Sequence, residues 1–351
     1  MRVSMPSGRA HGWGIAGEYL TREIAKLPPL EGVTLHCISG HDFRPMNPAD
    51  WDQFNIGYCF FENEIEAWRH TRRAAREWDY IVAGSSWCEY QLRIGGVRQT
   101  ATILQGVDPQ FFHPAPPREE DGRFIVFSGG KFELRKGQDL VIAAMKAFMA
   151  RHKDAWLCCS WHNQWPASIA TMAGSSCIVF APDSDDCQTI IKKTLADNGI
   201  PLDRVIINPL MDNSRMRDIY RNTDVGLFPN RCEGGNNMVM CEYLACGRTA
   251  IASDTTGHAD VINSGNAFPL NRYEPRVIEM FGQPSAVWFE PSVDEIVEQL
   301  ECAYWHREET ARRAAAAARE MERLSWERAA RLFHFIGTKL TNDASFRKGR
   351  E

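Results

Sequence analysis

The chain has 351 residues, of which 44% are hydrophobic and 24% charged, with a formal net charge of −5 at pH 7. That is enough apolar material for two ordinary cores, and a chain of mixed, net negative charge carries no global field that would draw it onto nucleic acid or anionic lipid. The opening six residues break at Pro6 before any signal-type apolar run develops, and no later stretch approaches the roughly 18 apolar residues that span a bilayer, so a soluble, cytoplasmic protein without a transmembrane segment is expected.

In chain order, short apolar runs at 2–6, 33–39, 55–60, 80–85 and 100–105 read as strands, with helical patterns at 15–26 and 64–78 between them. This is the βαβ rhythm of a parallel sheet. A turn- and proline-rich segment from Gly106 to Pro117, followed by the charged run Arg118 to Asp121, reads as a linker. A second series follows, with strands at 124–128, 156–160, 205–208, 225–229 and 249–253 and helices at 138–151, 214–221 and 237–246. Two long helical patterns, 294–322 and 326–340, close the chain without strands after them. The fold class is therefore α/β with two Rossmann-like domains, 1–115 and 116–325, the first joined by a C-terminal helix at 326–351. The 11 cysteines are scattered through apolar runs without a C-x-x-C pair, the pattern of reduced core residues rather than disulfides or metal ligands.

Two segments carry chemistry. Phe228 to Gly247 reads as a strand end, a turn containing Gly234 and Gly235, and a helix closed by Gly247. Glycines just before a helix let backbone N–H groups approach an anion, and the helix dipole favours a phosphate there. Glu242 falls inside that helix on the face of Met238, where a carboxylate is costly unless a donor satisfies it, and a ribose diol supplies two such donors. A solvent-exposed glutamate beside an ordinary turn is the plainer alternative. In the second segment, Phe127 to Asp139, a strand runs into a double-glycine turn carrying Lys131 and Lys136 immediately before a helix. Cations at the carboxyl edge of a parallel sheet are placed to neutralise a departing diphosphate, although loop lysines are more often merely solvated.

At this point the residues resemble the retaining GT-B glycosyltransferases, the large family of group 1 glycosyl transferases that includes sucrose synthases and bacterial mannosyltransferases. Gly106-Val107-Asp108 with Phe112 and Pro114 is similar to the family's interdomain junction, and Gly130-Lys131 through Lys136-Gly137 to its donor-phosphate loop. The run 224–229, Glu233 to Glu242, 245–247 and 251–253 resembles its donor-binding signature, and Ser325-Trp326-Glu327 its final crossing helix. The resemblance implies a GT-B fold that moves a sugar from a nucleotide diphosphate-sugar donor with retention of configuration. Lys131 and Lys136 would contact the diphosphate at the catalytic centre, with Gly130 beside them. Glu233, with the backbone from Gly234 and Gly235 through Asn236 and Asn237, would contact the transferred sugar, and Glu242 the ribose.

Eight residues rather than the family's seven separate the two glutamates, and the histidine often found after a central N-domain strand is replaced by Phe60-Phe61-Glu62. A glycine-rich loop, Gly8 to Ile15, matches loosely and offers Gly12, Trp13 and Gly14, with Glu62, for the acceptor side. His258 lies at a strand end near the cleft. Neither a cofactor nor a metal ion is expected, since no D-x-D pair occupies a suitable strand-end turn and the one at Asp183-Ser184-Asp185 reads as a solvated loop. The acceptor would be a carbohydrate, a lipid-linked molecule or another small molecule rather than nucleic acid, and a homo-oligomer is left open. An epimerase of the same fold and a non-catalytic sugar-nucleotide-binding subunit are the alternatives.

Overall fold

The computed structural model describes residues 1–8, 11–116, 118–119 and 121–342. Arg9 and Ala10, Pro117 and Glu120 of the expected linker, and 343–351 of the expected C-terminal helix range lie outside the described residues.

The first lobe is a five-stranded parallel sheet, β1 (Arg2–Ser4), β2 (Val33–Cys37), β3 (Phe54–Cys59), β4 (Tyr80–Ala83) and β5 (Thr100–Thr102), in that spatial order. Helix α1 (Gly12–Ile24) follows β1. The expected 64–78 helix is two pieces, α2 (Glu64–Trp68) and α3 (Thr71–Glu77), followed by α4 (Ser86–Ile94), whose Ser85 cap accepts from the Cys88 amide. The sheet is buried on both faces: Leu20, Leu35, Ile56 and Val82 pack with α1 on one side, while Phe61, Ala74, Ile81 and Leu92 pack with α2–α4 on the other. Two-sided burial is why its strands read as continuous apolar runs rather than alternating ones.

The second lobe holds six parallel strands, β6 (Phe124–Gly130), β7 (Ala155–Trp161), β8 (Val205–Ile207), β9 (Val225–Phe228), β10 (Thr249–Ser253) and β11 (Phe268–Leu270), ordered β8-β7-β6-β9-β10-β11 from one edge to the other. One face is covered by α5 (Gln138–Arg151) and α7 (Cys187–Asp197), which follows the short α6 (Pro166–Ala170). The other is covered by α8 (Met216–Tyr220) and α9 (Met238–Ala245). After β11 the chain adds an antiparallel hairpin, β12 (Tyr273–Met280) and β13 (Gln283–Pro291). The last helical region breaks at His306 into α10 (Val293–Trp305) and α11 (Arg307–Met321), and α12 (Trp326–Asn342) ends the described chain.

The chain passes between the lobes twice, and the two crossings touch. Val107 N–H donates to Leu324 O at 2.7 Å, and Val107 pairs with Ser325. A Cβ on Gly106 would lie 2.3 Å from the Trp326 nitrogen, so only glycine permits this approach. Helix α12 then returns to the first lobe, laying Trp326, Ala330, Phe333 and Leu340 at helical spacing against α1, where the Trp326 ring stacks on Tyr19 at 5.2 Å.

Candidate active site

In the second sheet the chain runs from β6 towards β7 in one direction and from β9 towards β10 in the other, so β6 and β9 flank the point where the strand order reverses. In open parallel sheets the crevice beyond the carboxyl ends of such a pair receives ligands. Here those ends deliver Gly129-Gly130-Lys131 from β6 and 229–233 from β9. The two loops are locked together. Gly137, in the left-handed region at φ 74° and preceding α5, sits where a Cβ would be 2.2 Å from Pro229 O. Arg231, fully buried, gives a bidentate pair to Asp139 at 2.8 and 2.7 Å and reaches Glu290 at 2.8 Å.

Lys136 and Glu233 meet in this crevice, with Nζ and Oε1 2.5 Å apart. Asn230 donates to the same oxygen, and Arg135 lies 3.4 Å from the other. Arg135 is the hub: it also bonds Glu133 at 2.6 Å, donates to Cys232 O at 2.9 Å and reaches across the lobes to Glu62 at 3.4 Å. Burial penalises all of these charges. For Glu233 the opposing pull of Lys136 and Arg135 wins and holds the carboxyl down at about 2. For Lys136 burial wins over Glu233, because Arg135 adds a like charge, and its pKa falls below the usual lysine range. The crevice is thus a desolvated, mixed-charge cluster with its cations already paired to carboxylates.

Lys131 is placed differently. It is 40% exposed, 3.4 Å from Glu133, with its ammonium 5.1 Å over the Trp165 ring, whereas Lys136 is 12% exposed. Gly130, at φ 118°, leaves open the space that the Lys136 side chain passes through, 3.8 Å away.

The glycine turn lies where the two lobes come together. A Cβ on Gly234 would be 2.6 Å from Phe61 O, and one on Gly235 2.8 Å from the Phe60 ring. Gly234 O accepts from Ser85 Oγ at 2.8 Å. Asn236, fully buried, pairs its amide with the Gln105 backbone in both directions at 3.0 Å. The structure therefore uses the small size of Gly234 and Gly235 for close approach of the first lobe. Asn237, at φ 53°, caps α9 and donates to His258 Nε2 at 3.0 Å. Burial pushes His258 down to about 4, so its ring is neutral. Thr256, also at positive φ, accepts from the Glu233 amide at 2.9 Å.

Glu242 is not an exposed helix glutamate: only 3% of the residue is accessible. Both carboxyl oxygens accept from Asn213 Nδ2, at 2.9 and 3.0 Å, and Tyr220 OH lies 3.3 Å from one of them. Burial outweighs these bonds and raises the carboxyl to about 8. Beside Asn213 an interlobe cavity of about 280 Å³ is bordered by Tyr19 and Arg22 of α1 and by Gln110, Phe111 and Ser214.

Of the expected first-lobe residues, Glu62 joins the cation cluster. Gly12, Trp13 and Gly14 form the start of α1, where His11 Nδ1 accepts from the Gly14 amide at 3.0 Å and Trp13 packs on Phe60 at 4.5 Å. Asp183 and Asp185 are exposed, and Asp186 caps α7. Arg135 and Asn213 escaped the reading of the sequence. Arg135 sits between two named motif positions, and nothing local distinguishes it from a solvated arginine. Asn213 lies 29 positions from its partner.

Comparison with known proteins agrees with this architecture. Residues 122–276 match the family model described as Glycosyl transferases group 1. The fold is similar to sucrose-phosphate synthase from Thermosynechococcus elongatus, with TM-score 0.65 at 16% identity over 88% of this chain and 74% of that one. It is also similar to a glycosyltransferase from Rickettsia africae, with TM-score 0.62 at 13% identity over 97% and 85%. Anabaena HepE, solved in complex with UDP-glucose, gives TM-score 0.58 at 14% identity over 83% and 73%. No curated protein matches the chain by sequence. The family match over part of the second lobe and the shared architecture support glycosyl transfer, and the chain has the GT-B fold of two Rossmann-like lobes.

Proposed function

We propose that the chain transfers a sugar from a nucleotide diphosphate-sugar to a carbohydrate, lipid-linked or other small acceptor, with retention of configuration and without a metal ion. The observation that carries this reading is the meeting of Lys136, Arg135 and Glu233 in the crevice beyond β6 and β9. When the bond from the anomeric carbon to the diphosphate breaks, negative charge builds on the departing oxygen, and fixed cations in a desolvated site stabilise it. Lys136 is the principal cation in this role and Lys131 an outer one. Glu233 contacts the transferred sugar, together with the backbone of 234–237, and Glu242 the ribose. The first lobe, 1–115 with the final helix, presents Gly12, Trp13, Gly14 and Glu62 to the acceptor, and 116–325 holds the donor. A structural neighbour solved with UDP-glucose supports the donor class.

The test is to incubate the protein with a panel of nucleoside diphosphate sugars, with and without EDTA, and to read released nucleotide and product anomer by NMR. An α-linked donor is expected to give an α-configured product at a rate that EDTA leaves unchanged. An inverted product, or complete loss restored by Mg²⁺, would contradict the proposal.

A further inference from the structure

We propose that Asn213 is a shutter between the interlobe cavity and Glu242, displaced when the hydroxyls of a ribose take its place; this rests on the reading of Glu242 as the ribose contact. One amide nitrogen with two N–H bonds spans both oxygens of the carboxyl group at 2.9 and 3.0 Å. A vicinal diol offers the same chemistry, two donors to two oxygens. The carboxyl group has little room to serve both at once, because it is buried and its oxygens already carry Asn213 and the OH of the core residue Tyr220. With only 3% of Glu242 accessible, no ligand reaches it while Asn213 holds its present position.

The same residue borders the cavity of about 280 Å³, close to the smallest volumes of about 300 Å³ that ligand pockets occupy. The shutter is built to move. Asn213 begins a short 3₁₀ turn, Asn213–Arg215, on the surface connection from β8 to α8, and Leu210 and Asp212 beside it are exposed. Tyr220, by contrast, is fully buried in the core, so of the two side chains bonded to Glu242 it is Asn213, at the surface connection, that can give way. Asn213 therefore lowers affinity by competing with the ribose and keeps the buried carboxyl group satisfied when no nucleotide is present.

The experiment is calorimetric titration of wild type, Asn213→Ala, Asn213→Ser and Glu242→Gln with UDP, GDP and ADP, and with the 2′,3′-dideoxy form of whichever binds. Removing the competitor is expected to tighten ribonucleotide binding by about tenfold in Asn213→Ala, with Asn213→Ser intermediate and the gain absent for the dideoxy form. Binding by both Asn213 variants that is unchanged or weaker, while Glu242→Gln is impaired, would overturn the shutter and leave the ribose reading standing. Wild-type binding by Glu242→Gln, or no binding of any of the three nucleotides to wild type, would remove the reading itself. Thermal unfolding of each variant without ligand separates a loss of fold from a loss of binding.

Discussion

Lys136 and Lys131 lie in one loop, yet their surroundings give them different weights. Lys136 is buried against Glu233, whereas Lys131 is half-exposed and more open to screening. Lys136→Ala is expected to cost about 3 kcal/mol in the barrier to donor turnover, roughly a hundredfold, and Lys131→Ala distinctly less. Steady-state kinetics on folded variants checks the ranking, and equal losses would contradict it. Glu242 makes a second prediction through pH. Its folded pKa is raised from 4.5 to about 8, so the stability it contributes is complete below about pH 4.5 and is lost as pH rises towards 8. Glutamine does not titrate. Glu242→Gln is therefore expected to gain on wild type across that window, by on the order of a few kcal/mol, and to run parallel to it above pH 8. Urea unfolding at pH 4.5, 6.5 and 8.5 measures the difference, and a constant offset would rule the linkage out.

Between elements, the loops of the site depend on contacts made far along the chain. Asp139 at the start of α5 neutralises the buried Arg231 beyond β9. Asp139→Ala leaves that guanidinium with Glu290 as its carboxylate partner, a loss of about 3–5 kcal/mol by denaturant titration, and a loss below 1 kcal/mol would contradict the anchoring role. All strands of the two sheets except β11 (Phe268–Leu270), and α5, were legible because apolar runs bounded by turn residues specify them without distant help; the α5 range read from the sequence, 138–151, matches Gln138–Arg151. What was not legible depends on partners outside any sequence window. Helix α4 is only nine residues long, too short for its pattern to stand out from the strands on either side, and is placed by its Ser85 cap and the packing of Cys88 and Leu92. The hairpin β12–β13 carries Pro275 and Pro284 and is held by Trp288 Nε1 on Glu62 O at 2.7 Å and by the Val287 amide on Glu64 at 2.7 Å. In the site, the glycine turn and both glutamates stood out by type and spacing. The Arg135 hub, the neutral His258 and the cover over Glu242 arise only when the lobes and loops are assembled.

Across the whole molecule, the lobes are joined by more than the two crossings. Ser86 N–H donates to Asp260 at 2.7 Å, Asn236 pairs with Gln105, and the hairpin straps α2. Contacts this dispersed predict one cooperative thermal transition, and Gly234→Ala, whose Cβ would strike Phe61 backbone, is expected to lower its midpoint by several degrees. Calorimetry showing two separate wild-type transitions would contradict the joined arrangement. Among the described residues no helix is long and apolar enough to cross a membrane. The central claim is that one nucleotide diphosphate spans the crevice, its phosphates at Lys136 and its ribose at Glu242. The most direct measurement is the equilibrium affinity of wild type, Lys136→Ala and Glu242→Gln for a nucleoside diphosphate and for the same nucleoside without phosphates. The account predicts that Lys136→Ala removes the increment due to the phosphates and leaves nucleoside binding intact, while Glu242→Gln weakens both ligands by roughly tenfold. Wild-type affinities for both ligands in both variants would contradict it.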